Sequence, residues 1–166
     1  MVQFATLRTE FGNIGVLVSN SKLIKIILPN KLESISIELT NPQNHDPFMS
    51  KVLDQLNQYF IGRRKQFDLD LSLQVSPFYQ DVLNEVYKIP YGQTCSYKEI
   101  AKKIKNPKSY RAVANANADN PIPIVIPCHR VILSSGDLGQ YGGGNWLKKT
   151  LILNEQSNRG KTFNLN

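Results

Sequence analysis

The chain is poor in the residues that most often mark a function. Its 166 residues hold two cysteines, two histidines, two methionines and one tryptophan. Cys95 and Cys128 cannot build a disulfide framework, so a reducing, cytosolic setting is expected, or the nucleus if the source is eukaryotic. No CxxC or HxxxH spacing occurs, which argues against the common structural zinc sites. No run of 18 apolar residues is present, so no membrane-spanning helix is expected. The first residues, MVQFATLRTEFGNIGVLVSN, lack a basic start followed by an apolar stretch and do not read as a secretory signal. Internal repeats and low-complexity tracts are missing as well.

What is present is a globular composition, 41% hydrophobic, and an uneven charge. Residues 1–72 carry eight Lys/Arg against seven Asp/Glu, a net of +1; residues 73–166 carry twelve against six, a net of +6. A basic half beside a near-neutral half suggests a polyanionic partner, with a solvated surface as the bland alternative.

Two domains are expected, 1–72 and 73–166. Residues 2–28 alternate apolar and polar side chains and read as two or three antiparallel strands. "ESISIELT" (33–40) fits a strand or a short helix. Asp46-Pro47 has the chemistry of an N-cap and first helical position. Phe48, Val52, Leu56, Tyr59 and Phe60 then recur at helical spacing until Gly62. "FDLDLSL" (67–73) reads as a last strand or a linker. In the second half, Ser76-Pro77 opens a helix carrying Phe78, Val82, Leu83 and Val86. "SYKEIAKKIK" follows with a capping box from Ser96 to Glu99, then the turn "NPKS" and a third helix "YRAVANANA". Two short helices across a tight turn are a helix-turn-helix signal, and Lys98 to Arg111 holds six basic residues and one acid. "PIPIVIP" (121–127) is expected as a strand, with a last helix over Asn145–Glu155. The aromatic set Phe48, Tyr59, Phe60, Phe67 and Phe78 is expected in the core.

The stretch "IPIVIPCHRVILSSGDLGQYGGG" spends one cysteine and one histidine side by side. Three readings compete. Cys128 could be a small buried hydrophobe beside a satisfied histidine. Cys95, Cys128, His129 and His45 could hold zinc, although adjacent ligands suit a tetrahedral site badly. Or Cys128 could be a nucleophile, activated by a basic neighbourhood and a histidine. Neighbours on a strand point to opposite faces, so the third reading needs a turn at this point or a water between the two. It also needs a group to hold the histidine tautomer, and Glu155 on the last helix is the candidate. Cys95 and His45 by themselves read as a packed apolar residue and an exposed loop residue.

"PIPIVIPCHRV", "GQYGGG" and a helix ending in "LNE", preceded by "IPYGQTCSYKEIA", "NPKSYRAVANA" and "NPIP", resemble the active-site signature of the O6-alkylguanine-DNA alkyltransferases. The resemblance covers roughly residues 76–156, with weaker support before them. It implies an α/β fold: a small ribonuclease-H-like antiparallel sheet with a helix, then a winged-helix-like domain. It implies DNA repair in a single turnover, with the alkyl group of O6-alkylguanine passing irreversibly to Cys128.

The resemblance also distributes roles. His129 takes the thiol proton through a water, Glu155 orients it, and Asn120 ties the turn before the cysteine. Tyr97 donates to the base and stands on the DNA-facing side. Backbone groups near Tyr141 and Gly142 face O6. The carbonyls of Cys128 and Val131 accept from the exocyclic amine, and Lys148 supports the site. The nucleotide is flipped through the minor groove. Arg111 fills the gap in the stack, while Lys108, Ala112, Ala114 and Asn115 belong to the DNA-binding surface. The implied partner is double-stranded DNA with the lesion, bound by a monomer; no membrane, metal or cofactor is expected.

Two departures stand out: Ala114 and Asn115 where many members have glycine, and Asn117 where some have a methionine lining the alkyl pocket. A helix-turn-helix DNA- or lesion-binding protein without chemistry, in which Cys128 is inert, and a cysteine hydrolase with a thioester intermediate are the rival readings.

Overall fold

The first strands are built by their turns. Thr9 Oγ1 donates to the Gly12 carbonyl at 2.7 Å and accepts from Phe11 N–H at 3.1 Å, which closes the first hairpin. Asn20 and Ser21 have φ of 51° and 54°, the paired left-handed residues that a two-residue hairpin requires. The result is a meander of three antiparallel strands, β1 (Val2–Thr9), β2 (Gly12–Ser19) and β3 (Lys22–Ile27). Alternation puts Ile14, Val16 and Val18 of β2 on one buried face. Gly15 is needed there: a Cβ would lie 2.9 Å from the Phe4 ring. In this computed structural model the described residues are 1–32 and 46–161. The segment 33–40, read as strand or short helix, and His45 lie outside them.

A short helical turn, α1 (Pro29–Leu32), follows β3. The long helix α2 (Pro47–Phe60) starts where Asp46 accepts from Phe48 N–H at 2.9 Å, with Pro47 in the first turn. It packs Met49, Val52, Leu56, Tyr59 and Phe60 inward, against β1 and β2. Each such burial contributes roughly 1.5–3 kcal/mol. Residues 67–73 run extended beside the start of β3: Leu23 N–H donates to Asp70 O at 2.8 Å, and Ser72 N–H donates to Leu23 O at 3.0 Å. The expected aromatic core is only partly realised. Tyr59 and Phe60 are buried, whereas Phe48, Phe67 and Phe78 are half-buried, Phe67 resting 5.6 Å from the Tyr59 ring.

Residues Met1–Leu73, joined by Lys161, form one unit, and Gln74–Gly160 form the other. The second unit opens with α3 (Pro77–Tyr87), whose N-cap Ser76 accepts from Tyr79 N–H. Strand β4 (Cys95–Ser96) leads into α4 (Tyr97–Lys103), and both bonds of the Ser96–Glu99 capping box are formed. Helix α4 stops in a Schellman closure. Lys105 takes φ 59°, its N–H donates to Lys102 O, and Asn106 N–H donates to Ala101 O. A 3₁₀ turn (Pro107–Ser109) then delivers α5 (Tyr110–Ala118). Helices α3, α4 and α5 pack on one another through Val82, Leu83, Ile100, Val113 and Ala116.

The expected strand over 121–127 is not formed. Pro121, Pro123 and Pro127 have no N–H to give a ladder. The segment instead coils through turns, with Ile126 N–H donating to Ile122 O at 2.9 Å. A 3₁₀ turn at Cys128–Arg130 and strand β5 (Val131–Ile132) follow, β5 running parallel to β4. Helix α6 (Asn145–Asn158) continues three residues past the expected end.

Candidate active site

The chain does turn at the cysteine. Asn120 prepares that turn: its Nδ2 donates to Ile126 O at 2.8 Å and its Oδ1 accepts from Ile122 N–H at 3.0 Å. Inside the loop, Ile124 has φ 75°, a conformation that costs a branched residue about 1–3 kcal/mol. Burial of Ile122, Ile124 and Ile126 offsets that strain. Cys128 then opens the 3₁₀ turn with its N–H on Ile126 O at 2.8 Å. Its neighbour His129 is fully buried.

Helix α6 meets this turn through Glu155. His129 Nε2 lies 2.7 Å from Glu155 Oε1. Arg130 grips the same carboxylate with both arms, Nε on Oε2 at 2.8 Å and Nη2 on Oε1 at 3.0 Å. Gly92 N–H adds a donor at 3.2 Å, and Arg130 Nη1 donates to Ile89 O at 2.7 Å. Burial by itself would raise the Glu155 pKa. His129 and Arg130 outweigh that and hold the carboxyl far below its usual range. Burial pushes the His129 pKa down, against the opposing pull of Glu155. An ionised Glu155 can only accept, so His129 Nε2 carries the proton and donates it. In the neutral ring Nδ1 is then the basic nitrogen.

Around Cys128 stand Tyr97, Tyr141, Lys148 and Asn117. Tyr97 is buried and its pKa is raised, first by burial and then by the Cys128 charge. Tyr141 is pushed well above its ordinary value by the same two causes in the same order. Its hydroxyl is buried and has no hydrogen-bond partner among the described residues. Lys148 Nζ donates to Val131 O at 2.6 Å and reaches Gln140 O at 3.5 Å, 5.9 Å from the Tyr97 ring centre. Burial lowers the Lys148 pKa to about 8, while attraction to Cys128 opposes the shift. Asn117 Nδ2 donates to the Cys128 carbonyl at 3.1 Å. Of the two carbonyls assigned to the exocyclic amine, that of Val131 accepts one bond already, and that of Cys128 accepts two, from Asn117 Nδ2 and from Val131 N–H. Gly142 sits half-buried in the loop before α6. The loop also carries Gly139 at φ 71°, where a Cβ would come within 3.4 Å of Tyr97.

Cys95 is buried and pairs across the short ladder with Val131, beside the site. Among the described residues no group of three or more His, Cys, Asp or Glu side chains is placed to hold a metal, and no helix is long and apolar enough to cross a membrane.

The outward face of the α4–α5 pair carries the basic residues. Lys98, Lys102, Lys103, Lys105, Lys108 and Arg111 are all exposed, with Ala112 and Asn115 beside them on α5. Ala114 is half-buried, and Val113, Ala116 and Asn117 form the inward face. Helix α5 therefore offers one face to solvent and sends Asn117 from the other to the cysteine.

Arg130 has no signal in the sequence as a site residue, since its partner lies 25 positions away. Asn117 is marked there only by its position at the alkyl pocket; the inward turn of its amide had no local signal.

The chain as a whole is similar to known proteins. Residues 77–157 match the family model "6-O-methylguanine DNA methyltransferase, DNA binding domain", and residues 2–73 match its ribonuclease-like domain. A methylated-DNA–protein-cysteine methyltransferase of Mycobacterium bovis is 49% identical over 158 residues, 95% of this chain and 94% of that protein. The chain belongs to the 6-O-methylguanine DNA methyltransferase family. A constitutive member from Bacillus subtilis is 34% identical over 156 residues, 93% of this chain and 94% of that one. Among solved structures, a Mycobacterium tuberculosis member bound to DNA superposes with a TM-score of 0.80 at 39% identity, covering 94% of each chain. In the terms of this methyltransferase family, the cysteine site and the basic helix pair both fall within the DNA-binding match.

Proposed function

We propose that this chain repairs double-stranded DNA by taking the alkyl group of O6-alkylguanine onto Cys128, once per molecule. The observation that carries the proposal is the buried relay beside the cysteine. Glu155, clamped by Arg130, fixes the tautomer of a neutral His129 next to the only buried thiol that the relay adjoins.

The thiol proton passes through a water to His129. The sulfur forms a bond to the alkyl carbon, the carbon–O6 bond breaks, and its electron pair goes to O6. A proton from the site, with Tyr97 as donor, lets the base leave as guanine. The thioether product has no carbonyl for water to attack, so the protein stays alkylated. Arg111 and the α4–α5 face bind the duplex while the lesion is flipped, which makes affinity fall with salt. We propose a monomer, acting in the cytoplasm or in a eukaryotic nucleus.

Intact mass after incubation with excess O6-methylguanine duplex tests the reading. One added methyl, about 14 Da, is expected on the wild type and none on Cys128→Ser. Repeated turnover would point instead to a hydrolase, and a bound duplex with no mass change to a lesion-binding protein.

The cation on Lys148 favours the thiolate, so its loss has a kinetic signature. Single-turnover transfer should decline as pH rises through about 8, where Lys148 gives up its proton. In Lys148→Met that alkaline limb should vanish, on a lower plateau. An unchanged limb in the variant would assign it to another group.

A further inference from the structure

Asn117 is buried to 3% exposure and its two side-chain atoms are in unlike situations. Nδ2 is satisfied by the Cys128 carbonyl at 3.1 Å. Oδ1 is buried with no hydrogen-bond partner among the described residues. Buried polar atoms are nearly always paired, so an unpaired one beside a nucleophile marks a place where a ligand completes the bond. An amide oxygen only accepts, so the missing group is a donor.

The geometry narrows which donor it is. The exocyclic amine of the base has the Val131 carbonyl, which accepts only from Lys148 Nζ and keeps a second lone pair, whereas the Cys128 carbonyl already accepts from both Asn117 Nδ2 and Val131 N–H. The group that must lie next to the Cys128 side chain during transfer is the alkyl group itself. Asn117 is anchored to the carbonyl of that same residue and lies beside Tyr97. The Tyr141 hydroxyl, buried and likewise unpartnered, gives the pocket a second polar wall coupled to Cys128. A pocket lined in this way is poorly suited to a purely hydrocarbon adduct.

We propose that Asn117 is a specificity-determining residue that favours O6 adducts bearing a hydroxyl donor, with the 2-hydroxyethyl group as the simplest case. The inference rests on the alkyl-transfer reading above and names the substrate class within it. The bonds made and broken are unchanged: the sulfur–carbon bond forms, the carbon–O6 bond breaks, and the hydroxyl stays on the thioether. The hydroxyl exchanges a water for Oδ1, whereas a propyl group of the same length leaves Oδ1 buried and unpaired. A site built to hydrogen-bond a hydroxyl rejects the analogue that lacks it, while an apolar site barely tells the two apart.

The test is single-turnover transfer from duplexes carrying O6-methyl-, O6-(2-hydroxyethyl)- or O6-propylguanine, in the wild type and in Asn117→Leu. The wild type should prefer hydroxyethyl to propyl, and that ratio should fall about tenfold or more in the variant. A merely structural role for Asn117 would slow all three substrates together and leave the ratio intact, which overturns the proposal. So would a wild type that does not prefer hydroxyethyl, as when a buried water holds Oδ1. Should Asn117→Leu fail to fold, Asn117→Ala removes the same oxygen without added bulk and is read in the same way. If the wild type takes no methyl group either, the alkyl-transfer reading itself has failed, an outcome distinct from a lost preference.

Discussion

Glu155→Gln is expected to destabilise the protein by about 3–5 kcal/mol, the cost of breaking a buried ion pair from one side. Glu155 and Arg130 are 2% and 6% exposed, so neither charge can turn to water. The carboxylate receives Arg130 Nε and Nη2, His129 Nε2 and Gly92 N–H. Glutamine keeps the shape but loses the charge, and its NH₂ faces donors. Arg130 would keep Ile89 O and at most one amide oxygen where it now has two carboxylate oxygens, and it would lose the opposite charge.

The same substitution should flatten the acid side of the stability curve. The folded-state pKa of Glu155 is depressed, so its contribution is full above the unfolded value near 4.5 and is lost as pH falls. His129 is also depressed, so below about 6.5 the unfolded chain binds a proton that the folded one resists. Stability should therefore begin to fall below about pH 6.5 and fall faster below 4.5. Only the second part should disappear in Glu155→Gln. Urea unfolding from pH 3 to 8 measures both, and a variant within about 0.5 kcal/mol of wild type at pH 7 would mean that the clamp holds nothing.

Tyr97→Phe is expected to slow alkyl transfer by about 10²-fold or more, the usual contribution of a placed general acid. The hydroxyl sits beside Cys128 and Asn117 in a buried pocket, and its pKa is raised, so it keeps its proton to give. Phenylalanine fills the same space against Gly139 and Lys148. Binding of the lesion duplex should change little, because the basic face lies on the exposed side of α4 and α5. Rapid-quench transfer alongside a binding titration separates the two effects. Equal losses in rate and binding would recast Tyr97 as a DNA contact without a role in the chemistry.

Much of this was legible in the chain because it depends on neighbours. Asp46-Pro47, Ser76-Pro77 and Ser96…Glu99 announced helix starts, and each cap bond is formed, since a cap is satisfied within three residues. The apolar spacing that placed Val52 and Leu56, or Val82 and Val86, inside held for the same reason. "PIPIVIP" misled because its apolar run has strand composition while its prolines cannot pair. Phe48, Phe67 and Phe78 misled because hydrophobicity does not say which side of an element meets the core.

The sequence by itself therefore determined the helices, the hairpins, the basic α4–α5 face and the Cys128–His129 pair, all set by interactions over a few residues. Only the tertiary structure decided what surrounds the thiol. Arg130 and Glu155 are 25 residues apart, and Asn117 and Cys128 are 11 apart. Such pairs meet only when α5 and α6 pack against the turn, and there burial removes the water that would otherwise satisfy each charge and amide. Packing also left Asn117 Oδ1 and Tyr141 Oη buried without a partner among the described residues, and no local spacing encodes that.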